Sequence, residues 1–464
     1  MKQGGPTSTV TLCSTEARPL TEKIRHFLPL APARGISARV LRLLHTSDWH
    51  LGHSLHDLPR RFEHSRFLAW LLDQLEAEEI DALVVAGDIF DTVNPSAEAQ
   101  QAFYDFLAEA RQRMAGLDIV LIGGNHDSAA RLDAPDPVLR ALGIRVVGGL
   151  PREGRNIRED RLIVPLHLRS GAVGAWLAAV PFLRAFDLPL VKVEARAEGE
   201  DEAEPVDVLV EGVRQIYADA TSAARARRRP GQALLAVGHC YMTGTELSEL
   251  SERKILGGNQ HALPIDIFPE DLAYVALGHL HRAQTVGGRE GIRYSGSPIP
   301  LSLSEASYRH QVCVVDIDGE RLARVRGLPV PRATPILKIP EDRPRPLDEV
   351  LPLLEALPPL TPDTIPGARP FLEVQVAMPR PEPSMRRRVE EAMDGKAARL
   401  VRIGVEFAGS GLALGDVYAK ESLSELSPEQ VFRKCYGRKF PDEPAPELLA
   451  DFADLLHRVH AREP

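Results

Sequence analysis

Acidic, amide and imidazole side chains follow several short apolar runs of this sequence. Oxygen and imidazole donors of this kind, with no thiolate among them, are typical of hydrolytic Mn, Fe or Zn centres and unlike a structural cysteine zinc site. The candidates, in chain order, are Asp48, His50, Asp88, Asn125, His126, His239, His279 and His281. An Asp-x-His or His-x-His pair on extended backbone directs both side chains to one side, so both can face a single ion.

The candidates provide enough donors for two metal ions. A bridging carboxylate is needed to hold two dications about 3.5–4 Å apart, and Asp88 is the natural bridge. Such a pair of ions clamps a phosphoryl group, lowers the pKa of a bound water and stabilises in-line attack. Any one residue alone would be weak evidence, because a lone buried His is more often a hydrogen-bonded core residue. The set as a whole predicts a dinuclear hydrolytic site.

The elements that must position these residues are apolar runs separated by amphipathic segments. Helical spacing is present over residues 60–79 and again over 96–114, where Ser96 is a candidate N-cap. This alternation predicts an α/β layered domain, in which sites form at the carboxyl ends of the strands. The predicted strands that precede the candidates are residues 40–44, 82–86, 118–122, 233–237 and 273–277.

From about Arg332 the sequence changes character. Residues 336–339, 371–377 and 400–407 alternate like strands, with helical stretches near 347–357 and 385–393 and proline-rich connections between them. Proline-rich punctuation of this kind predicts a separate small α+β unit. Two further helical stretches, 428–436 and 446–461, are predicted near the C-terminus.

Composition limits the class of protein. The chain has 464 residues, 44% of them hydrophobic, which is enough for two or three domains with sizeable cores. A formal net charge of −9 argues against a uniformly basic protein that coats nucleic acid, although it leaves room for a local basic groove. The four cysteines are scattered, and no apolar run approaches the roughly 18 residues that span a bilayer. We therefore expect a cytoplasmic protein with no membrane association.

Five blocks of the sequence resemble the signature blocks of calcineurin-like metallophosphoesterases. They are Asp48-Trp49-His50, Gly87-Asp88, Gly124-Asn125-His126-Asp127, Gly238-His239 and Gly278-His279-Leu280-His281. Residues 46–52, 87–91 and 295–298 further resemble one branch of that family, the SbcD nuclease subunits of bacterial SbcCD DNA-repair complexes. The resemblance is strong over about residues 40–328. It implies an α/β fold: a two-layer β-sandwich flanked by helices, with a small α+β capping domain and C-terminal helices.

The resemblance also implies roles for the candidates around two divalent ions, which it identifies as Mn²⁺. One ion takes Asp48, His50, Asp88 and His281, and the other takes Asp88, Asn125, His239 and His279. His126 is not a ligand in this interpretation but the catalytic residue, which protonates the leaving 3′ oxygen or stabilises the transition state. A carboxylate partner would favour its imidazolium form, but the role expected for the neighbouring Asp127 is structural, either orienting His126 or capping a turn.

The implied activity is that of a Mn²⁺-dependent DNA nuclease, both an exonuclease on duplex ends and an endonuclease. Its implied partners are DNA and an SbcC-like coiled-coil ATPase, with which it processes double-strand ends and hairpins in DNA repair as a homodimer within a heterotetramer. The expected division is a disordered extension (residues 1–39), a metallophosphoesterase nuclease domain (40–331), a capping domain (332–410) and partner-binding helices (411–464).

Two other functions use the same site. One is a phosphoesterase that acts on a small-molecule or protein substrate; protein phosphatases of this family usually carry Asn-His-Glu where this chain has Asn125-His126-Asp127. The other is a non-catalytic scaffold that keeps the fold, although such relatives usually lose ligands and this chain retains all seven.

Overall fold

The computed structural model describes residues 40–154, 156–189, 208–246, 262–380 and 382–407. These residues all belong to one compact unit. The predictions for residues 1–39, for 411–464 and for the two C-terminal helical stretches lie outside the described residues.

The described residues form twenty strands. They are β1 Val40–Thr46, β2 Ser54–Leu55, β3 Leu58–Pro59, β4 Ala82–Ala86, β5 Asp118–Ile122, β6 Ile144–Val147, β7 Arg152–Glu153, β8 Asn156–Ile157, β9 Ile163–His167, β10 Val173–Ala179, β11 Ala233–His239, β12 Tyr274–Gly278, β13 Gln284–Val286, β14 Arg289–Tyr294, β15 Gln311–Asp318, β16 Arg321–Pro329, β17 Ile336–Ile339, β18 Arg345–Pro346, β19 Phe371–Met378 and β20 Arg399–Phe407.

Eight α-helices lie between these strands in the described part of the chain. They are α1 Arg61–Ala77, α2 Ala97–Arg113, α3 Ala129–Asp133, α4 Asp136–Ala141, α5 Glu159–Leu162, α6 Val208–Arg227, α7 Leu347–Glu355 and α8 Met385–Ala392. Helix α2 begins where the sequence predicts, because the Ser96 side chain accepts a hydrogen bond from the Ala99 N–H at 3.2 Å.

Two six-stranded sheets make up the larger part of the fold. The first has the order β16-β15-β1-β4-β5-β6 and the second the order β13-β14-β12-β11-β10-β9. Neighbours among β1, β4, β5 and β6 are parallel, as are those among β10, β11, β12 and β14. The remaining strands of the two sheets, β9, β13, β15 and β16, pair antiparallel with their neighbours. Parallel strands present their carboxyl ends at one edge, and it is this edge that carries the candidate residues.

Alternation along the strands explains why two sheets stack with helices outside. On β1, Leu41 and Leu43 belong to the core that includes residues of the second sheet, whereas Leu44 packs with α1 and α2. Buried side chains of α6, such as Ile216 and Tyr217, join the core of the second sheet. The predicted α/β sandwich with flanking helices is therefore confirmed.

A third, smaller sheet follows after Pro329. Its strands β17, β18 and β20 all pair in parallel with β19. Helices α7 and α8 cover it, and Val350 and Val389 pack with Leu372, Val374 and Val376 in a separate hydrophobic cluster. The strands and helices predicted for this region are present in the described residues through Phe407.

Helix α6 was not predicted. Its buried positions include Ala220 and Ala224, whose small side chains give a weak periodic signal. In the part of the chain that the structure describes, no helix combines the length and apolarity needed to cross a membrane.

Candidate metal centre

Five strand ends from the two large sheets meet at the candidate site. Strands β1, β4 and β5, which are neighbours in the first sheet, lead into Asp48 with His50, Asp88, and Asn125 with His126. The paired strands β11 and β12 of the second sheet lead into His239, His279 and His281. The stacking of the sheets therefore brings together donors from widely separated parts of the chain.

All seven predicted ligands lie in one connected group. One ligand atom from each of Asp48, His50 and His281 lies within 4.8 Å of the others, and the same holds for Asp48, Asp88 and His239. Asn125 joins through its Oδ1, which is 2.9 Å from His239 Nε2 and 3.0 Å from His279 Nδ1. Asp48 and Asp88 thus lie at the centre of the group. The assignment of each residue to a particular ion stays a prediction.

The backbone at the site adopts unfavourable conformations. Asp48, His50, Asp88 and His279 all have positive φ, at 55°, 45°, 50° and 107°. Non-glycine residues in this region cost of order 1–3 kcal/mol each, and such residues cluster at functional sites. The loops are held in place by backbone hydrogen bonds, including those from Asp48 N–H to Gly87 O and from His50 N–H to Asp88 O, each at 3.0 Å.

Two buried side-chain atoms of the predicted ligands lack the hydrogen-bond partners that buried polar atoms normally have. His50 Nε2 and Asp88 Oδ2 are buried without a hydrogen-bond partner and lie 3.5 Å apart. His239 donates its Nδ1–H to Ala86 O at 2.8 Å, which leaves Nε2 as the nitrogen that faces Asn125 Oδ1 and could turn to a cation. The oxygen and imidazole donors therefore fit a divalent metal ion.

The pKa values of His50, His279 and Asp88 have the directions that metal ligands need, whereas His239 must lose a proton before it can bind a cation. Burial lowers the pKa of His50, and burial together with the neighbouring His239 lowers the pKa of His279 to about 3, so both rings are neutral. Burial opposes ionisation of Asp88, but the neighbouring His239 outweighs it and holds the pKa of Asp88 well below its usual range. Burial likewise opposes charge on His239, yet the Asp88 carboxylate raises the pKa of His239 to about 9. The site attracts positive charge.

His126 adjoins the seven predicted ligands, and one atom from each of His50, Asp91 and His126 lies within 4.8 Å of the others, so its role as a non-ligand stays a prediction. Its ring packs against that of His50 at 4.7 Å between centroids, and its backbone N–H donates to Asp88 Oδ1 at 2.8 Å. Its Nδ1 donates to the backbone oxygen of Asp91 at 2.8 Å. The Asp127 carboxylate accepts from the backbone N–H groups of Ile89, Phe90 and Gly124, which agrees with the structural role expected for it. Asp127 holds the turns in place.

Three residues at the site were not predicted from sequence. Asp91 accepts from His50 Nδ1, His53 lies between Asp91 and Leu301 O, and Glu305 accepts from His281 Nδ1. The sequence offered only proximity for the first two, since both are within a few residues of predicted ligands. Glu305 belongs to no recognisable block. By contrast, His310 bonds to the backbone oxygens of Ser297 and Glu305 and is a core residue.

Two family profiles match the chain. The profile of calcineurin-like phosphoesterases matches residues 41–283, and the SbcD_C profile, described as the type 5 capsule protein repressor C-terminal domain, matches residues 332–440. The first match contains all seven predicted ligands and His126.

Curated relatives match over most of the chain. The SbcD subunit of the SbcCD nuclease from Rhodobacter capsulatus is 40% identical over 85% of this chain and 94% of its own length. The SbcD proteins from Escherichia coli and Bacillus subtilis are 32% and 38% identical, over 90% and 60% of this chain and 98% and 66% of their own lengths. The chain therefore belongs to the calcineurin-like phosphoesterase family and, within it, to the SbcD family of SbcCD nuclease subunits.

Proposed function

We propose that this chain is the nuclease subunit of an SbcCD-type complex, a Mn²⁺-dependent phosphodiesterase that cuts DNA as an exonuclease on duplex ends and as an endonuclease. The observation that carries the proposal is the convergence of seven nitrogen and oxygen donors next to an imidazole outside that group. Buried donors without partners, His50 Nε2 and Asp88 Oδ2, fit a dinuclear cation site. The names of the relatives support DNA processing as the use of that site.

In the proposal one ion takes Asp48, His50, Asp88 and His281, and the other takes Asp88, Asn125, His239 and His279. When bound, two divalent cations would neutralise charge on the phosphodiester and lower the pKa of the attacking water. The chain itself supplies the geometry, because Asp88 is fixed by the His126 N–H and lies between His50 and His239.

His126 is proposed as the proton donor to the leaving 3′ oxygen. Its Nδ1–H is committed to Asp91 O, so Nε2 is the nitrogen that would hold and transfer the proton. That hydrogen bond and the packing on His50 fix the orientation of the ring. Positioned acid–base groups typically contribute about 10²–10⁴-fold to rate.

The decisive experiment is cleavage of linear duplex DNA in Mn²⁺ by purified variants. We expect His126→Gln to cut about 10²–10⁴-fold more slowly than wild type while it still binds DNA and metal. Asp88→Ala, which removes the shared carboxylate, should abolish cleavage. His167→Gln is the matched control, because this histidine bonds to Asp118 outside the candidate group and should cut like wild type. Undiminished cleavage by His126→Gln would overturn its catalytic role.

A phosphoesterase for small molecules or proteins would use the same residues, so substrate preference must separate the two functions. We expect turnover on linear DNA to exceed turnover on a nitrophenyl phosphodiester when both are measured with the same Mn²⁺-loaded enzyme. The opposite preference would favour the small-substrate activity.

The remaining parts of the proposal concern the assembly. An SbcC-like coiled-coil ATPase is the proposed partner, in a cytoplasmic heterotetramer that contains two copies of this chain. Residues 332–410 are proposed as a capping domain that shapes the DNA path, 411–464 as the partner-binding helices, and 40–331 as the nuclease domain. Co-purification with the ATPase and its loss on deletion of residues 411–464 would test the partner assignment.

A further inference from the structure

Two proposed ligands of one ion, His50 and His281, are both held through the ring nitrogen Nδ1. His281 Nδ1 donates to Glu305 Oε1 at 3.0 Å, and His50 Nδ1 donates to Asp91 Oδ1 at 3.2 Å. When Nδ1 carries the proton, the lone pair of the neutral ring is on Nε2. The carboxylates therefore select the tautomer in which Nε2 can bind a cation.

The two carboxylates are themselves connected through the segment around Leu301. Its N–H donates to Glu305 Oε2 at 2.8 Å, and its carbonyl oxygen accepts from His53 Nε2 at 2.9 Å. His53 Nδ1 contacts Asp91 Oδ1, the atom that also accepts from His50, at 2.9 Å. A continuous series of polar contacts thus joins the outer nitrogens of two rings whose centroids are 5.3 Å apart.

Because Glu305 and His281 are buried, the loss of any of their contacts would leave a polar group without a partner and would destabilise the folded protein. Glu305 is 0% exposed and His281 is 5% exposed, so a carboxylate here needs its hydrogen bonds to offset the loss of water. Both oxygens of Glu305 have a donor, one from a candidate ligand and one from the backbone. The His53 ring likewise has an oxygen acceptor at each nitrogen.

We infer that Glu305 and His53 are positioning residues that hold His281 and His50 in the metal-binding tautomer and orientation. This inference rests on the proposed dinuclear site and assigns to it two residues beyond the seven ligands and His126. Carboxylates that bond to metal-ligating histidines typically change metal affinity about 10–100-fold when removed.

The contacts predict that only one of the two ions depends on Glu305. His239 is held by the backbone oxygen of Ala86, and His279 contacts Asn125, so neither ring uses the chain through Leu301. A general loosening of the fold would weaken the binding of both ions to a similar extent. Loss confined to one ion is therefore the signature of positioning.

The test is a Mn²⁺ titration of the full-length, metal-free protein, in which electron paramagnetic resonance reports free Mn²⁺. The change Glu305→Gln would place an NH₂ group against one of two N–H donors. We expect wild type to bind two ions and Glu305→Gln to bind one of them about 10–100-fold more weakly. His53→Gln should weaken the same ion.

The matched control is Asp118→Asn, which removes a carboxylate from another histidine, His167, at the opposite end of β5 from Asn125. It should leave both binding constants as in wild type. If Glu305→Gln also binds both ions as wild type does, the inference is overturned while the proposed function stands. If wild type binds no divalent ion, both are overturned.

A second measurement needs no variant at position 305 and covers the case in which Glu305→Gln does not fold. Nitrogen-15 NMR of the histidine rings in the metal-free wild type distinguishes the two neutral tautomers, with the His281 signals assigned from their absence in His281→Gln. We expect Nδ1–H at His281. An Nε2–H tautomer there would overturn the inference.

Discussion

Histidine chemistry in this chain depends on what each ring nitrogen faces. His45, at the end of β1 and three residues before Asp48, is buried between the Tyr274 hydroxyl at 2.9 Å from Nδ1 and the Leu277 carbonyl at 3.2 Å from Nε2. A ring that donates to a carbonyl and accepts from a hydroxyl is satisfied when neutral. Burial accordingly lowers the pKa of His45 to about 3. Residue type and position alone do not separate such a core histidine from a ligand.

We expect His45 to make the fold sensitive to acid. Its folded pKa of about 3 lies below the ordinary value of 6.5, so between these pH values the unfolded chain binds one more proton than the folded chain. The free energy of unfolding therefore falls as pH falls through this window, by up to about 1.4 kcal/mol per pH unit from this residue. Urea unfolding at pH 7.5 and 5.0 should show a smaller pH effect in His45→Gln than in wild type. An equal pH effect in both proteins would contradict this account.

The sequence identifies ligands better than it identifies the residues that orient them. Each of the seven donors follows an apolar run, which is visible in the sequence, and the structure brings all seven together. Glu305 lies 24 residues after His281 in the chain and reaches it through a short helical turn, Leu303–Ser307. No local pattern encodes that contact, since it depends on the packing of the segment from Ser297 to Leu301.

At the scale of the element, glycines allow the strand ends to approach one another. Gly87 has φ of 88° and leads directly into Asp88. A Cβ at Gly124 would collide with the side chain and backbone nitrogen of Asp88, so β4 and β5 can deliver their residues to one site only when this position is a glycine.

We therefore predict that Gly124→Ala weakens metal binding as well as stability. The methyl group must displace Asp88, and overpacking of this kind costs about 1–3 kcal/mol. Gly116→Ala is the matched control, because Gly116 precedes the same strand and a Cβ there meets open space. Urea denaturation and Mn²⁺ titration of both variants should show losses only in Gly124→Ala. Wild-type metal affinity in that variant would mean that the loops adjust independently of Asp88.

Two of the strands that carry the site, β4 and β5, have the bounds that the sequence predicts. Residues 82–86 and 118–122 match β4 and β5 because each is a short apolar run bounded by turn residues. Helix α6 was missed although Val213, Ile216, Tyr217 and Ala220 lie on one buried face. The sequence before this helix is acidic and contains proline, and it offers no clear N-cap signal that would predict a helix start. Tertiary packing on the second sheet supplies what the local signal lacks.

At the scale of the whole molecule, one buried cation joins the large sandwich to the small sheet. Arg60 precedes α1 and is 1% exposed; its guanidinium bonds to Glu63 and to the Pro300 carbonyl oxygen. It also lies 5.6 Å from the centroid of the Phe371 ring on β19, a ring that Arg399 approaches at 4.0 Å. Pro300 is adjacent to Leu301, so the contacts of Arg60 lie next to the hydrogen bonds that hold Glu305 and His53.

Arg60→Met should therefore destabilise the molecule strongly. The substitution leaves Glu63 buried without its cation and removes the contact with Phe371, a change that typically costs about 3–5 kcal/mol when a buried pair is broken. Arg61→Met is the neighbouring control, because the Arg61 side chain is 74% exposed and pairs with Glu98 at the surface, where ion pairs contribute less than about 1 kcal/mol. Urea denaturation of the two variants should differ by several kcal/mol, and limited proteolysis of Arg60→Met should cut first in the connection between Pro329 and Ile336. Equal stability of the two variants would mean that contacts other than those of Arg60 hold the large sandwich and the small sheet together.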